Sequence, residues 1–598
     1  MPTSPRQAYF HPRALRLAYE RVMRWTDGTA KDRPGLRAYR YDLDRALEEL
    51  STTLLGGDYK PQRPFKYFAI KAAGTQRTRT VLWVEDAIVY QAIANRIAER
   101  AYAKLRHHND FVFGNVLHPN VARGTDLLEE DEPDLYFFTY WKGAFERFQS
   151  SVAETIAEPE VTHRFATDIT GFYDAIPHHS LLRVLYEEFE VEPEILDFLE
   201  VCLNEWSGTK HLSTPGVGIP QGPIPSALFA NMLLYQLDDQ IANEAYRYYR
   251  YVDDIHIYGE DGAQLREVLV DIDVFLKGHG LSINTKKTSV EALSPEDEKT
   301  SRKELARARA IAATYFAEER VNPESVTLEV LSETTVSDDD GDEGSEITEP
   351  VGRSELKRLS GFVDQIGGES QGGASYAQWT KITAPDEIEA FWRKTAAEQS
   401  ENLRKLFIAG ETDAHGRAKL HPEATDVDFI AVGSELSRAV RGLRQIEAAY
   451  EPDEAEVDLW LAALYAFPHR TTQYFYSVAT YSPSARTQAA VLEFASRHRK
   501  YESVRYEVYQ YLLSKGSFSD SELRQLFKDL QAEESALVRS VQFNILFEHA
   551  QSHQLQRSTA KQLEREPNEY VRLLVADTRK MNEPGATITE DVLASVGI

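Results

Sequence analysis

Two aspartate-bearing segments, far apart in the chain, restrict the fold more than any other feature. The first is His163–Pro177 (HRFATDITGFYDAIP), where an apolar, strand-like start leads to Asp168 and then to Gly171-Phe172-Tyr173-Asp174. The second is Tyr248–Gly259 (YYRYVDDIHIYG), where two apolar arms flank Asp253-Asp254. Alternation on both sides of a two-residue polar turn predicts a β-hairpin with the carboxylates at its tip. A lone Asp-Asp pair more often caps a turn. A strand-end aspartate beside a hairpin-tip aspartate instead makes an oxygen-lined pocket. Magnesium prefers oxygen ligands. Phosphoryl transfer to a hydroxyl can run on two divalent ions that clamp the attacking and leaving oxygens.

Between the two segments lies Pro215–Asp239 (PGVGIPQGPIPSALFANMLLYQLDD). Gly218, Gly222 and the prolines predict a tight loop, and an apolar helix is expected from about Ser226. The glycines allow close backbone approach to a ligand, and Gln221 can hydrogen-bond a sugar or base. Taken alone, this stretch also fits a purely structural loop before a helix.

The order of the Asp168 segment, the GIPQG loop, the YVDD hairpin and Leu281–Val290 (LSINTKKTSV) resembles the palm of reverse transcriptases. The resemblance covers about residues 60–295. It implies that Asp168 and Asp253 bind two Mg²⁺ ions, with Mn²⁺ as a substitute, and that Asp254 is a supporting acid. It also implies that Tyr173 blocks a ribose 2′-hydroxyl, so that the substrates are deoxynucleoside triphosphates. Gln221 and Gly222 would line the nucleotide pocket, and Lys287 would lie near the triphosphate. Lys71–Ala94 resembles the fingers segment, with Lys71 and Arg77 as triphosphate ligands and Arg79 as a rival for Arg77. His108–Asn115 (HNDFVFGN) holds the place of a further family segment, with altered residues.

The remainder divides into two parts. Residues 296–384 read as a connector, with an acidic insert at 332–350 that holds eight acids and no bases, and a Gly/Ser-rich piece at Gly367–Ser375. From 385 to 598 the pattern is helical. In Glu454–Phe467 the residues Val457, Trp460, Leu461 and Leu464 form one apolar stripe, Asp453 and Glu456 suggest a capping box, and Pro468 ends the helix. Arg470, Arg505, Arg539 and Arg572 recur at intervals of 33–35 residues, the period of stacked helix pairs. They are expected to bridge adjacent repeats or cap helices rather than bind nucleic acid. The expected architecture is therefore α/β fingers and palm (1–295) joined to an all-α domain resembling HEAT-like repeats (385–598), in place of a thumb.

That architecture resembles the abortive-infection and unclassified antiphage-defence reverse transcriptases of bacteria. The resemblance implies a role in phage defence, template-independent DNA synthesis on a protein hydroxyl, covalently attached DNA product, and a trimer or hexamer. Tyr39 and Tyr41 are the candidate priming residues. A net charge of −28 suits this picture. Long duplex contacts need a basic surface, whereas a tethered primer replaces affinity with effective concentration. Three rivals remain: a reverse transcriptase copying a specific noncoding RNA template, a non-catalytic defence scaffold, and an RNA-dependent RNA polymerase. The single cysteine, Cys202, fits a reducing cytoplasm and excludes cysteine-based zinc sites. There is no apolar run long enough for a membrane span and no signal-peptide core at the N-terminus.

Overall fold

The computed structural model describes residues 5–24, 42–70, 75–130, 133–208, 214–242, 246–302, 385–413, 416–425, 452–468 and 483–581, with a few short stretches and single positions between them. The acidic insert at 332–350, the segment Gly367–Ser375, Lys71, Tyr41 and Arg470 lie outside the described residues. The chain forms two compact units. One comprises residues 1–66, 78–316 and 363–371, and the other residues 67–77, 317–362 and 372–598.

The N-terminal helices α1 (Pro5–Phe10), α2 (Pro12–Arg24) and α3 (Leu43–Gly56) are followed by the paired strands β1 (Phe65–Ile70) and β2 (Gln76–Val81). Then come α4 (Val84–Leu105), α5 (Trp141–Ile156), β3 (His163–Asp168) and the single turn α6 (Phe172–Ala175). Helices α7 (His178–Phe189), α8 (Pro193–Trp206), α9 (Ile224–Leu233) and α10 (Tyr235–Ala242) lead to β4 (Arg247–Tyr251) and β5 (Asp254–Gly259). Helix α11 (Gly262–Gly278) and β6 (Ser289–Ala292) complete the sheet, whose order is β4-β5-β3-β6, antiparallel throughout.

Period-two alternation decides which side chains go where. Tyr248, Ile255, Ile257 and Phe165 enter the main helical core. Tyr249, Tyr251 and Tyr258 turn to the other face, against Phe148 and Val152 of α5 and Phe113. Both faces of the central strands are therefore packed, and Asp168 and Asp253 lie where those strands end. Cys202 is fully buried in the main core.

A buried acid lies within this unit. Asp86 of α4 is fully buried. The Tyr59 hydroxyl donates to its Oδ1 at 2.6 Å and the Gln62 amide donates at 3.3 Å. Burial nevertheless outweighs these bonds and pushes its pKa up to about 7. The folded chain thus keeps a proton that the unfolded chain releases near pH 4. Stability from this group is full at low pH and declines as pH rises from about 4 to about 7. Asp86→Asn is expected to flatten that decline and to exceed the parent in stability at pH 8, by on the order of a few kcal/mol. Urea midpoints at pH 5 and pH 8 measure it.

The second unit contains α12 (Pro385–Lys405), β7 (Phe407–Thr412), β8 (Ala418–Leu420), α13 (Glu454–Ala466) and α14 (Ala485–Arg497). It continues with α15 (Glu502–Lys515), α16 (Asp520–Gln531), α17 (Ala536–His549), α18 (His553–Glu564) and α19 (Glu569–Met581). The region is not all helix, since β7 and β8 form a hairpin. Asp413 accepts from the backbone N of Arg417 at 3.0 Å and Gly416 takes a positive φ of 75°, which together make a tight turn. In α13 the expected stripe of Val457, Trp460, Leu461 and Leu464 is buried, and Asp453 accepts from the Glu456 amide at 2.7 Å. The reciprocal half of the capping box is missing. The Glu456 carboxylate is drawn inward instead, to Ser400 at 2.6 Å and Tyr450 at 2.7 Å.

Two of the recurring arginines, Arg505 and Arg539, bridge successive helices. Arg505 of α15 is buried, donates to the Ala495 carbonyl at 2.6 Å and pairs with Glu533 in the loop before α17. Arg539 of α17 repeats the arrangement with Glu566 before α19, at 2.9 Å. Each guanidinium ties one helix to the turn that opens the next pair. The satisfied donors hold the register of the stack, while burial of the apolar stripes supplies most of its stability.

Candidate active site

The site begins where β3 ends. Asp168 and Asp254 are directly opposed across β3 and β5, so their side chains share one face of the sheet. The Ile169 amide donates to the Asp253 carbonyl at 3.3 Å, which brings the third carboxylate's backbone to the same place. Like charges opposed in this way destabilise a sheet, and the cost appears in Asp254. Loss of hydration, then Asp253 and Asp168, push its pKa up to about 6, and Lys287 acts the other way. Repulsion among carboxylates at one strand end costs stability, and such a cluster is a candidate for binding a cation.

The segment Leu281–Val290 completes the cluster. Asn284 donates from its backbone N to the Asp168 carbonyl at 2.7 Å and from Nδ2 to Asp168 Oδ2 at 3.0 Å. A turn then returns the Lys287 amide to the Asn284 carbonyl at 2.8 Å and sets Lys287 Nζ 3.2 Å from Asp168 Oδ2. The resemblance placed Lys287 toward a triphosphate, but here it reaches the carboxylate itself. Asn284 was not singled out from sequence, although it stands in the same LSINTKKTSV segment.

The hairpin turn is displaced by one residue from its expected place. Val252 and Asp253 are the turn, and Asp254 already belongs to β5, opposite Tyr251. Val252 has φ 61°, a conformation that β-branched residues seldom adopt. Buried neighbours hold it there. Arg250 Nη1 donates to the Val252 carbonyl at 2.8 Å and to Asn231 Oδ1 at 3.0 Å. Its Nε and Nη2 grip Asp238 of α10 at 2.7 and 2.6 Å. Burial would raise the pKa of Asp238, but Arg250, with His108 and Tyr248, holds it below the ordinary value. Gly114 lies under the turn, where an added Cβ would fall 2.6 Å from the Val252 backbone N. This explains the glycine in HNDFVFGN, whose Val112 bridges to Arg250 of β4.

The glycine loop pairs with the segment that follows Asp168. The Ile219 amide donates to the Tyr173 carbonyl at 2.9 Å, and the Thr80 amide of β2 donates to the Gln221 carbonyl at 2.9 Å. Gly222 takes φ 138°, a region that only glycine enters freely. Tyr173 is half-buried against the core. The structure therefore brings Tyr173, Gln221 and Gly222 to one strip of backbone. Arg77 is exposed and Arg79 half-buried, and they share one face of β2, so facing does not separate the two rivals. The Tyr39 hydroxyl is held by Glu85 at 2.6 Å.

Among the described residues no three His, Cys, Asp or Glu side chains form a ready metal cage. Magnesium does not need one, because it binds through one or two carboxylates together with water and substrate phosphates. The donor set fits such an ion. All three donors are carboxylate oxygens, and a cation, the Lys287 ammonium, already lies against Asp168.

Residues 92–315 match the model of the family described as reverse transcriptase (RNA-dependent DNA polymerase). No curated protein matches. Among solved structures the chain is similar to apo telomerase from Candida tropicalis truncated from its C-terminal domain, at 14% identity and TM-score 0.28. That match covers 42% of this chain and 56% of the telomerase, so the chain spans little more than half of it. Telomerase from Candida albicans in complex with a fragment of telomeric RNA is similar at 11% identity and TM-score 0.29, over 79% of this chain and 64% of that one. Asp168, Asp253, Asp254, Tyr173, Gln221 and Lys287 all fall within the family match, and residues 92–315 are a reverse-transcriptase domain, the domain of RNA-directed DNA polymerases.

Proposed function

We propose that the protein is a DNA polymerase that adds deoxynucleotides to a hydroxyl by two-metal phosphoryl transfer. The observation that carries this is the meeting of Asp168, Asp253 and Asp254 at one strand end inside the reverse-transcriptase domain. Asp168 and Asp253 would hold two Mg²⁺ ions, or Mn²⁺ in their place, which when bound neutralise the phosphates and lower the pKa of the attacking hydroxyl. The chain's own residues do the remaining work. Asn284 fixes the carboxylate plane of Asp168. Asp254 supports the cluster, and Tyr173 closes the pocket to a 2′-hydroxyl. Gln221 and Gly222 line that pocket, and Lys71, Arg77 and Lys287 neutralise the triphosphate.

The resemblance to abortive-infection enzymes supports a finer reading. In it, synthesis is template-independent and primed on a protein hydroxyl, and the DNA product stays covalently attached. The protein is then an oligomer that acts in cytoplasmic antiphage defence, and its helical stack is HEAT-like. The net charge of −28 favours a tethered product over tight duplex binding. To prime, Tyr39 must first release Glu85. No helix among the described residues is long and apolar enough to cross a membrane.

One incubation tests both levels. Purified protein receives each labelled deoxynucleotide with Mg²⁺, with and without added RNA and primer, and runs on a denaturing protein gel. Label that smears upward from the protein band without RNA is the expected result. Label that appears only with RNA supports the templated rival, and absence of label under every condition refutes the polymerase reading.

A further inference from the structure

The loop that carries Gln221 is anchored from behind by side chains that the chemistry above does not use. Gly216, Gly218 and Ile219 run antiparallel to residues 173–178. The His178 amide donates to the Gly216 carbonyl at 2.8 Å, the Gly218 amide to the Ile176 carbonyl at 2.7 Å, and the Ile219 amide to the Tyr173 carbonyl at 2.9 Å. The Gly218 carbonyl points away from that ladder into the protein. There it accepts from His178 Nε2 at 2.6 Å and from the Ser207 hydroxyl. Asn204 Oδ1 accepts from the Gly216 amide at 2.7 Å and lies 3.2 Å from His178 Nδ1.

His178 and Ser207 are both buried, at 0% and 2% exposure. They come from the first turn of α7 and the end of α8, two rigid helices of the main core. Gly218 has φ 88°, and a Cβ there would stand 3.2 Å from the Asp174 carbonyl oxygen, so the close approach of the two segments calls for glycine. Three residues downstream, the Gln221 carbonyl is tied to Thr80. The position of Gln221 relative to Tyr173 is therefore set through Gly218.

We propose that His178, assisted by Ser207, is a positioning residue that sets the width of the nucleotide pocket by holding the Gly218 carbonyl, and so governs sugar discrimination rather than the chemical step. This rests on the polymerase reading above. A buried carbonyl that loses a donor must find another, and the loop moves to do so. Displacements of an ångström are costly where orientation matters. The bonds of this cluster run to the Gly216 and Gly218 backbone, so kcat should change little.

The test compares the parent with His178→Leu, His178→Gln and Ser207→Ala, using labelled dTTP and UTP and measuring kcat and KM for each. His178→Leu keeps bulk without a donor, and is expected to raise KM for dTTP about tenfold and to reduce the preference for dTTP over UTP by a similar factor. His178→Gln keeps an N–H at comparable reach and should recover most of both. Ser207→Ala is the smaller change, and should shift both in the same direction if His178→Leu fails to fold. A parent that incorporates label, with variants that lose activity only in proportion to their unfolded fraction at unchanged KM and sugar preference, overturns the positioning role alone. A parent that incorporates neither nucleotide overturns the polymerase reading and this inference with it.

Discussion

Replacing Asp253 by asparagine is expected to reduce deoxynucleotide incorporation by about 10³-fold or more, equivalent to about 4 kcal/mol of lost transition-state stabilisation, and to leave the fold intact. The second half of that expectation is the diagnostic one. A carboxylate retained for structure destabilises the protein when neutralised. Asp253 sits in a cluster whose mutual repulsion is visible in the raised pKa of Asp254. Removing one negative charge relieves that repulsion, so the melting temperature should hold or rise. Activity falling by orders of magnitude as stability holds is the signature of a group kept for what it binds. Incorporation assays with Mg²⁺ and Mn²⁺, paired with thermal denaturation, separate the cases. A variant that loses stability and activity together would make Asp253 a structural residue and remove the basis for the two-metal reading.

How far such a site can be read from sequence depends on what kind of force places each residue. The meeting of the Asp168 strand end with the Asp253-Asp254 hairpin was legible because the strand pattern around each is local. The arginine ladder of Arg505 and Arg539 was legible through its period, although not its acidic partners, Glu533 and Glu566, which lie in loops. The hairpin turn was misplaced by one residue because Val252 adopts a positive φ that its own side chain disfavours. Only tertiary contacts from Arg250 and Gly114 hold it. The β7–β8 hairpin was hidden because its strands are short and only partly alternating, so the turn residues Asp413 and Gly416 carried the whole signal. Glu456 fits a capping box by its spacing, but burial beside Ser400 and Tyr450 decides its direction. Asn284 and His178 leave no mark in the local pattern, for a common reason. Each acts through a backbone or carboxylate partner more than twenty residues away, and no local pattern records such a partner.

Arg250 is the clearest case of a residue whose charge conceals its role, and its replacement should have the second large effect. Arg250→Met leaves Asp238 ionised and buried with only Tyr248 and the nearby His108 ring, which is expected to destabilise the protein by about 3–5 kcal/mol. That loss alone says nothing of function. The informative variant is Arg250→Met with Asp238→Leu and Tyr248→Phe, which removes the buried charges and the hydroxyl together. Exchanging a buried ion pair for apolar groups of similar volume is often neutral or better, so the urea midpoint should return to near the parent value. Activity should not return with it. The Val252 carbonyl still lacks its donor, the strained turn can relax toward a common conformation, and Asp253 moves with it. A repacked protein with parental stability and at least tenfold lower kcat would show that Arg250 aims the hairpin. Parental kcat in the same protein would show that Gly114 and the strand pairing suffice, and that the Arg250–Asp238 pair serves the fold alone.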